Sequence, residues 1–306
     1  MKILSTRLFP PDNPSISGLS QSMDIVIVNG NIIYNTSLKQ AQTVYMDTRP
    51  VKRCLNINLL VNIILQKINQ KINIIIAGHD FTYPNNTDLR YTADYENGWL
   101  IKELHSHKYV NKIFIENLDS YVNKSEPLPL GINPKLCSTD WKYFSDYEKI
   151  NPDKQLKVVN FNVVRTGQGQ WADRSHVKRL CETSWRDHCL PIREDVSHQQ
   201  YLDILSTNMF SVCVHGGGLD PNPKLWEALL VGSIPIIHEN KPHTDIYVEL
   251  DLPVVIVKDW SSETINTGML KFWRDKYYGH FLNRQKRDNM LKKLSIDFWV
   301  NRVSHI

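Results

Sequence analysis

The sequence predicts an α/β fold made of two successive β/α series, each a mostly parallel sheet with helices on its faces. Three observations carry that expectation. Short β-branched runs alternate with stretches at helical spacing, and the alternation loosens between 118 and 155, where prolines gather. A later apolar run then ends in three glycines directly ahead of a helix. At 306 residues the chain has room for about two domains of roughly 150 residues each.

The first series opens with DIVIVNG (24–30) and TVYMD (43–47), β-branched runs bounded by turn residues that read as strands. VKRCLNINLLVNIILQKINQ (51–70) has apolar positions at helical spacing, and INIIIAGHD (72–80) returns to a buried-strand pattern. A helix over 92–107 leads to the strand VNKIFIEN (110–117). From 118 to 155 the pattern relaxes. SEPLPLGINPKL has three prolines and a glycine, and DYEKINPDKQ is polar, so this stretch reads as the linker between domains 1–150 and 151–306.

The second series starts with the strand LKVVNFNVV (156–164) and the helix DRSHVKRLCETSWR (173–186). The strand-like LPI, the helical SHQQYLDILS (197–206), the strand FSVCVHG (210–216) and the helix NPKLWEALLVG (222–232) follow. IPIIHE (234–239) and LPVVIVKDW (252–260) are the last strands. From Met269 the tail is rich in Lys, Arg and aromatics at helical spacing and is expected to pack back across the first domain or the hinge.

Composition narrows the function classes. With 42% hydrophobic and 22% charged residues this is an ordinary globular chain. A net charge of +4 allows a locally basic cleft for an anionic ligand but argues against a nucleic-acid-binding surface. The five cysteines include no C-x-x-C pair, so a reducing compartment is the default. MKILSTRLFPPDNP lacks a signal h-region and no run of about 18 apolar residues occurs, so the expectation is a soluble, cytoplasmic protein without an integral membrane segment. No metal site is expected: the eleven histidines are scattered, His105 and His107 are only two apart, and no H-E-x-x-H appears. No G-x-S-x-G elbow supports serine hydrolase chemistry.

The chemically informative stretch is FSVCVHGGGLDPNPKLWEALLVGSIPIIHE (210–239). His215, Gly216, Gly217 and Gly218 fall where a strand ends, the edge at which open α/β sheets bind ligands. Glycines there let a ligand approach the backbone. Asn222 is a good N-cap and Pro223 fits the first helical turn, whose unpaired N–H groups and positive dipole end suit a phosphate. Lys224 is poorly placed for the dipole unless an anion sits nearby, and Glu227 can accept from a ribose diol. An ordinary βα turn explains the glycines equally well, since neither G-x-x-x-x-G-K-[ST] nor G-x-G-x-x-G is present.

Lys224-Leu225-Trp226-Glu227-Ala228-Leu229, then Gly232, Ile234 and Pro235, resembles the sugar-nucleotide-binding region of the exostosin family of glycosyltransferases, and PVVIVKDWSS (253–262) resembles its following strand. The resemblance implies a GT-B fold, two Rossmann-like domains facing each other across a cleft with the donor nucleotide on the second. It implies a glycosyltransferase that moves a hexose or pentose from a nucleoside diphosphate donor, a UDP-sugar or GDP-sugar, to a glycan or glycoprotein hydroxyl. Inversion and metal independence also follow from it, and no D-x-D flanked by apolar strands appears. Two departures matter. Lys224 stands where the family has arginine, keeping a cation but losing bidentate geometry, and the family's secretory anchor is absent, which points to a microbial or viral enzyme.

Within that reading, the loop RTGQGQWADR (165–174) supplies a cation to the diphosphate, Arg165 first and Arg174 second, unless both are solvated loop arginines. Trp171 is a candidate sugar platform, and Arg193, Glu194 and Asp195 form a charged turn near the base. His79 and Asp80, at the end of INIIIA, are candidates for the general base that inverting transfer needs, or else a turn-forming Asp beside a structural His. Glu116, Asn117 and Asp119 are weaker acceptor-side candidates. A retaining GT-B transferase, a non-catalytic nucleotide-sugar-binding protein and a nucleotide-sugar epimerase are the alternatives.

Overall fold

A computed structural model describes residues 3–6, 18–48, 53–78, 80, 82–85, 98–132, 150–161, 166–191 and 196–305. Its first sheet has six strands in the order β2-β1-β3-β4-β5-β6. They are β1 (Ile25–Val28), β2 (Asn31–Tyr34), β3 (Thr43–Asp47), β4 (Ile72–Ala77), β5 (Val110–Ile115) and β6 (Ser125–Pro127). Only β1 and β2 pair antiparallel. The period of two sorts the strand residues between two layers. Ile25 and Ile27 with Ile72, Ile74 and Ile76 pack on Leu60, Val61, Ile64 and Leu65. Those partners belong to helix α1 (Arg53–Leu59), which continues through a π-type turn (Leu60–Ile64) into Leu65–Lys67. Val26, Ile75, Ala77 and Phe114 join the other cluster, which holds Leu294, Trp299 and Val303 from the tail.

Helix α2 (Gly98–Ser106) precedes β5, within the expected 92–107. Two elements of this half depart from the sequence reading. The strand expected over 24–30 stops at Val28, because Asn29 and Gly30 take φ of 52° and 75° and turn the chain into β2. That is the two-residue hairpin an Asn-Gly pair favours. β6 lies inside the stretch read as linker and pairs in parallel with β5, so the sheet reaches beyond 118.

The second sheet has the order β10-β9-β8-β7 and is parallel throughout. Its strands are β7 (Gln155–Val159), β8 (Asn208–Val212), β9 (Ile234–His238) and β10 (Val255–Val257). Between them lie α3 (Ala172–Glu182), α4 (His198–Thr207), α5 (Pro223–Leu230) and α6 (His243–Glu249). Ser197 and Gln200 close a reciprocal capping box on α4. α6 is the element the sequence reading missed here. Among the described residues no helix is long and apolar enough to cross a membrane.

The tail forms α7 (Thr267–Tyr277), α8 (Gly279–Leu282), α9 (Arg284–Leu294) and α10 (Ile296–Ser304). α10 lies on the first sheet: Trp299 is fully buried, and Asn73 Nδ2 in β4 donates to the carbonyls of Val303 and His305 at 2.9 Å each. α9 lies under α5. The fully buried Arg287 donates through Nη1 to Leu229 O at 2.6 Å and through Nη2 to Leu230 O. Lys154 Nζ adds bonds of 3.0 Å to Leu205 O and Val231 O. Burial pushes Arg287 down to about 9 and holds Lys154 well below the ordinary lysine range.

Arg287→Met leaves the buried Leu230 carbonyl without its arginine donor and Leu229 O with backbone donors only, and is expected to cost about 3 kcal/mol, read as a lower urea midpoint. His243 should make the fold acid-sensitive. It is fully buried, neither ring nitrogen has a hydrogen-bond partner among the described residues, and burial pushes it down to about 4. The unfolded chain protonates near 6.5, so it binds a proton the folded state refuses between pH 6.5 and 4. Stability is therefore lost as pH falls through that window, by on the order of 3 kcal/mol. His243→Leu should flatten that part of a stability-versus-pH curve, and an unchanged slope would assign the acid sensitivity elsewhere.

Candidate ligand site between the two sheets

The carboxyl ends of both sheets meet at one cavity of about 160 Å³. From the first sheet come Asp80, after β4, and Asn117, after β5. From the second come Trp171, Arg174, Gly216, Gly217, Gly218 and Asn222. The volume is below the ~300 Å³ at which sites for whole small molecules begin, and suits the charged centre of a ligand.

On the first-sheet side, packing around Gly78 sets the approach to Asp80. Gly78 has φ of 103°, and a Cβ there would lie 2.2 Å from Asp47 Oδ1. Its N–H donates to Glu116 Oε2 at 2.7 Å, an oxygen that also accepts from Thr6 Oγ1 at 3.1 Å. Glu116, buried at the end of β5, thus holds the Gly78 amide two residues before Asp80, and buried Asp47 at the end of β3 fills the space beside it.

On the second-sheet side the first turn of α3 supplies the cation. Arg174 Nε donates to His215 O at 3.0 Å, and its guanidinium lies 5.2 Å from the Trp171 ring. His215 Nε2 sits 3.2 Å from Asp173 Oδ2, and that hydrogen bond holds the Asp173 carboxyl below the usual range against the opposing effect of burial. Asp173, Arg174 and His215 thus form one unit. A Cβ on Gly216 would stand 3.0 Å from Arg174 Nη2, so the glycine makes room for the arginine.

The space over Gly218 is taken as well. A Cβ there would lie 2.3 Å from Asn117 Oδ1, which accepts from Leu219 N at 2.8 Å and Asp220 N at 3.3 Å. Asp220, which the sequence reading passed over, extends this link. It accepts from Leu130 N and Tyr247 Oη, each at 3.1 Å, and from Asn222 N at 2.9 Å. No local pattern signals either role, because Asn117 and its partners are about a hundred residues apart.

Asn222 caps α5 as expected, but its cap changes what the helix offers. Its Oδ1 accepts from Lys224 N at 2.9 Å and its Nδ2 donates to Val214 O. Leu225 N donates to Asn222 O at 3.2 Å, and Pro223 has no N–H. The first-turn amides expected to face a ligand are already used within the protein, leaving the helix dipole.

Lys224, Glu227 and His215 do not line the cavity. Lys224 is partly buried; burial holds its ammonium below the ordinary range, while Glu227 works in the opposite direction. Glu227 is buried with Oε1 3.5 Å from His198 Nε2. Burial, then the proximity of Glu227, pushes the Tyr201 hydroxyl well above its ordinary value. His79, Arg165 and the charged turn 193–195 lie outside the described residues. Among the described residues no three His, Cys, Asp or Glu side chains group as a metal site.

No family model matches the chain, and no curated protein matches it. Among solved structures, the crystal structure of the GtfA/B complex is similar over 90% of this chain, at 12% identity and a TM-score of 0.35. The chain spans 59% of the length of that matched chain.

Gly218→Ala should force the Asn117 amide aside and cost about 1–3 kcal/mol. In an Asn117→Ala background most of that cost should vanish, a coupling above ~0.5 kcal/mol in a urea double-mutant cycle. Equal costs in both backgrounds would mean that something other than Asn117 fills the space.

Proposed function

We propose that the chain is a glycosyltransferase of GT-B type, exostosin-like, moving a sugar from a nucleoside diphosphate donor to a saccharide hydroxyl. The observation that carries this reading is the meeting of Arg174, the glycine loop and the start of α5 with Asp80 in one cavity at the carboxyl ends of two sheets. The diphosphate would take its countercharge from Arg174, Lys224 and the dipole of α5, with no metal required. Arg165 would add a second arginine, and Glu227 would accept from the ribose diol in exchange for His198.

Transfer would proceed with inversion. The acceptor oxygen forms its bond to the anomeric carbon on the face opposite the diphosphate, whose C–O bond breaks as negative charge gathers near Arg174. Asp80 takes the acceptor proton, with His79 beside it as the alternative base. The donor would be a UDP-sugar or GDP-sugar, and the acceptor a glycan or glycoprotein. A second reading, a non-catalytic nucleotide-sugar-binding protein, draws its support from the small volume of the cavity and the space over Gly218 already filled by Asn117.

Thermal shift against UDP, GDP, ADP, CMP and dTDP, each with and without magnesium or manganese, tests the site. One diphosphate should raise the melting temperature without metal, and Arg174→Ala and Lys224→Ala should each weaken its binding by about 1–3 kcal/mol. No shift with any of the four diphosphates would rule out a site for UDP, GDP, ADP or dTDP. A shift that both variants keep in full would move the site elsewhere.

A further inference from the structure

A second cavity, of about 720 Å³, lies in the second half of the chain and is lined in part by Lys157, Cys181, Glu182, Arg186, Cys189 and Leu190. Two of those residues are thiols in direct contact. Cys189 Sγ donates to Cys181 Sγ at 3.4 Å, and Asn160 Nδ2 donates to the same Cys181 sulfur at 3.5 Å. The backbone holds this pair together without a covalent bond. Trp185 N donates to Leu180 O at 2.8 Å and Cys189 N to Trp185 O at 2.9 Å, turning the chain back after α3. Val158 N then donates to His188 O and Leu190 N to Val158 O, each at 2.9 Å, fixing Cys189 beside β7.

We propose that Cys181 and Cys189 are a redox-active dithiol pair, oxidised by a hydroperoxide within the cavity they line to a disulfide joining the end of α3 to the segment beside β7. The two sulfurs need to approach by only about 1.4 Å to reach a disulfide length of ~2.05 Å. The proposal is independent of what the other cavity binds.

The roles of the two sulfurs are unequal. The hydrogen bond from Cys189 holds the Cys181 thiol below its ordinary range, against burial, while that same bond and burial hold Cys189 well above it. Asn160 Nδ2 donates to the Cys181 sulfur, a contact that favours its thiolate, so Cys181 is the attacking group. Its sulfur takes the distal oxygen of the hydroperoxide, the O–O bond breaks, and an alcohol leaves, giving a sulfenic acid. The Cys189 sulfur then displaces hydroxide from the sulfenic sulfur; its proton leaves with that hydroxide as water. Two thiols and one hydroperoxide become one disulfide, one alcohol and one water, and the two electrons lost by the sulfurs reduce the peroxide. Cys213 provides the internal contrast: it is buried away from this cavity, and burial pushes its thiol up to about 12.

The test is peptide mapping of the full chain after hydrogen peroxide, with alkylation in denaturant and no reductant. Trypsin cuts after Arg179, Arg186 and Arg193, so the pair falls on separate peptides, 180–186 and 187–193, that only a disulfide can join. The joined species should appear as both thiols are lost together, dithiothreitol should reverse it, and Cys213 should stay alkylatable. Cys189→Ser should leave Cys181 as a sulfenic acid that dimedone traps, while Cys181→Ser should leave Cys189 unmodified. Full alkylation of both thiols after a peroxide excess that consumes glutathione in the same tube overturns the proposal. So does a cross-link from either one to Cys54 or Cys137, or dimedone capture at Cys189 in place of Cys181.

Discussion

The rest of the structure depends on how α5 is held at its carbonyl end. Arg287 reaches from α9 to the carbonyls of Leu229 and Leu230, and Lys154 closes on Val231 and on the end of α4. Two buried cations are costly to desolvate, and the lowered values of both groups record that cost. What offsets it is position. Cations at a helix C-terminus agree with the macrodipole and satisfy carbonyls that burial would otherwise leave unpaired. With that end fixed, the opposite end of α5 has one direction available, toward the cavity between the sheets. The chain that supplies Arg287 continues into α10, whose Trp299 and Val303 close the second face of the first sheet. One tail thus covers one half of the molecule and anchors the cavity-lining helix of the other.

The start of α5 is strained where its end is secured. Asn222 has φ of 77° and ψ of 169°, a region costing on the order of 1–3 kcal/mol for a residue with a side chain. Three bonds from one residue hold it there: its N–H to Asp220, its amide nitrogen to Val214 O and its amide oxygen from Lys224 N. Asp220 also accepts from Leu130, so the strained cap is tied to the first half of the chain. Further out, Tyr121 donates to Asp245 on α6 at 2.9 Å, and Arg302 joins Glu249 to Glu126. The seam between the sheets is fixed by polar groups at named points, and the cavity lies among them.

Much of this was legible because parallel strands buried on both faces leave continuous apolar runs. TVYMD became β3 at its expected ends, and INIIIA became β4. The helical SHQQYLDILS became α4, whose start is closed by the Ser197/Gln200 capping box. What escaped were short elements whose existence depends on partners far along the chain. β6 is three residues that are a strand only because β5 lies beside them, and α6 is seven residues between two loops. β2 does carry a local signal, the Asn-Gly pair, but its strand follows a turn that the sequence reading placed inside the run 24–30. In the site, residue types at strand ends pointed to Asp80, Arg174 and the glycines, all of which line the cavity. Asn117 and Asp220 act through contacts about ninety to a hundred residues away, and no window of sequence contains such a contact.

The glycine loop carries the most general lesson. Three glycines before a helix suggest a backbone laid open to a phosphate, yet at two of the three positions a protein side chain occupies the space a Cβ would need. Arg174 lies against Gly216 and Asn117 over Gly218. The amides that follow are committed too, Leu219 and Asp220 to Asn117 and Lys224 to Asn222. The positive charge at this cavity, among the described residues, is therefore that of a side chain, Arg174, whose orientation is set by the His215 carbonyl and the Trp171 ring. What the loop provides is room for side chains, Arg174 at Gly216 and Asn117 at Gly218. A planar, always-charged donor placed by a carbonyl and an aromatic face gives this cavity a directional cation, whereas Lys224, partly buried on α5, does not line it.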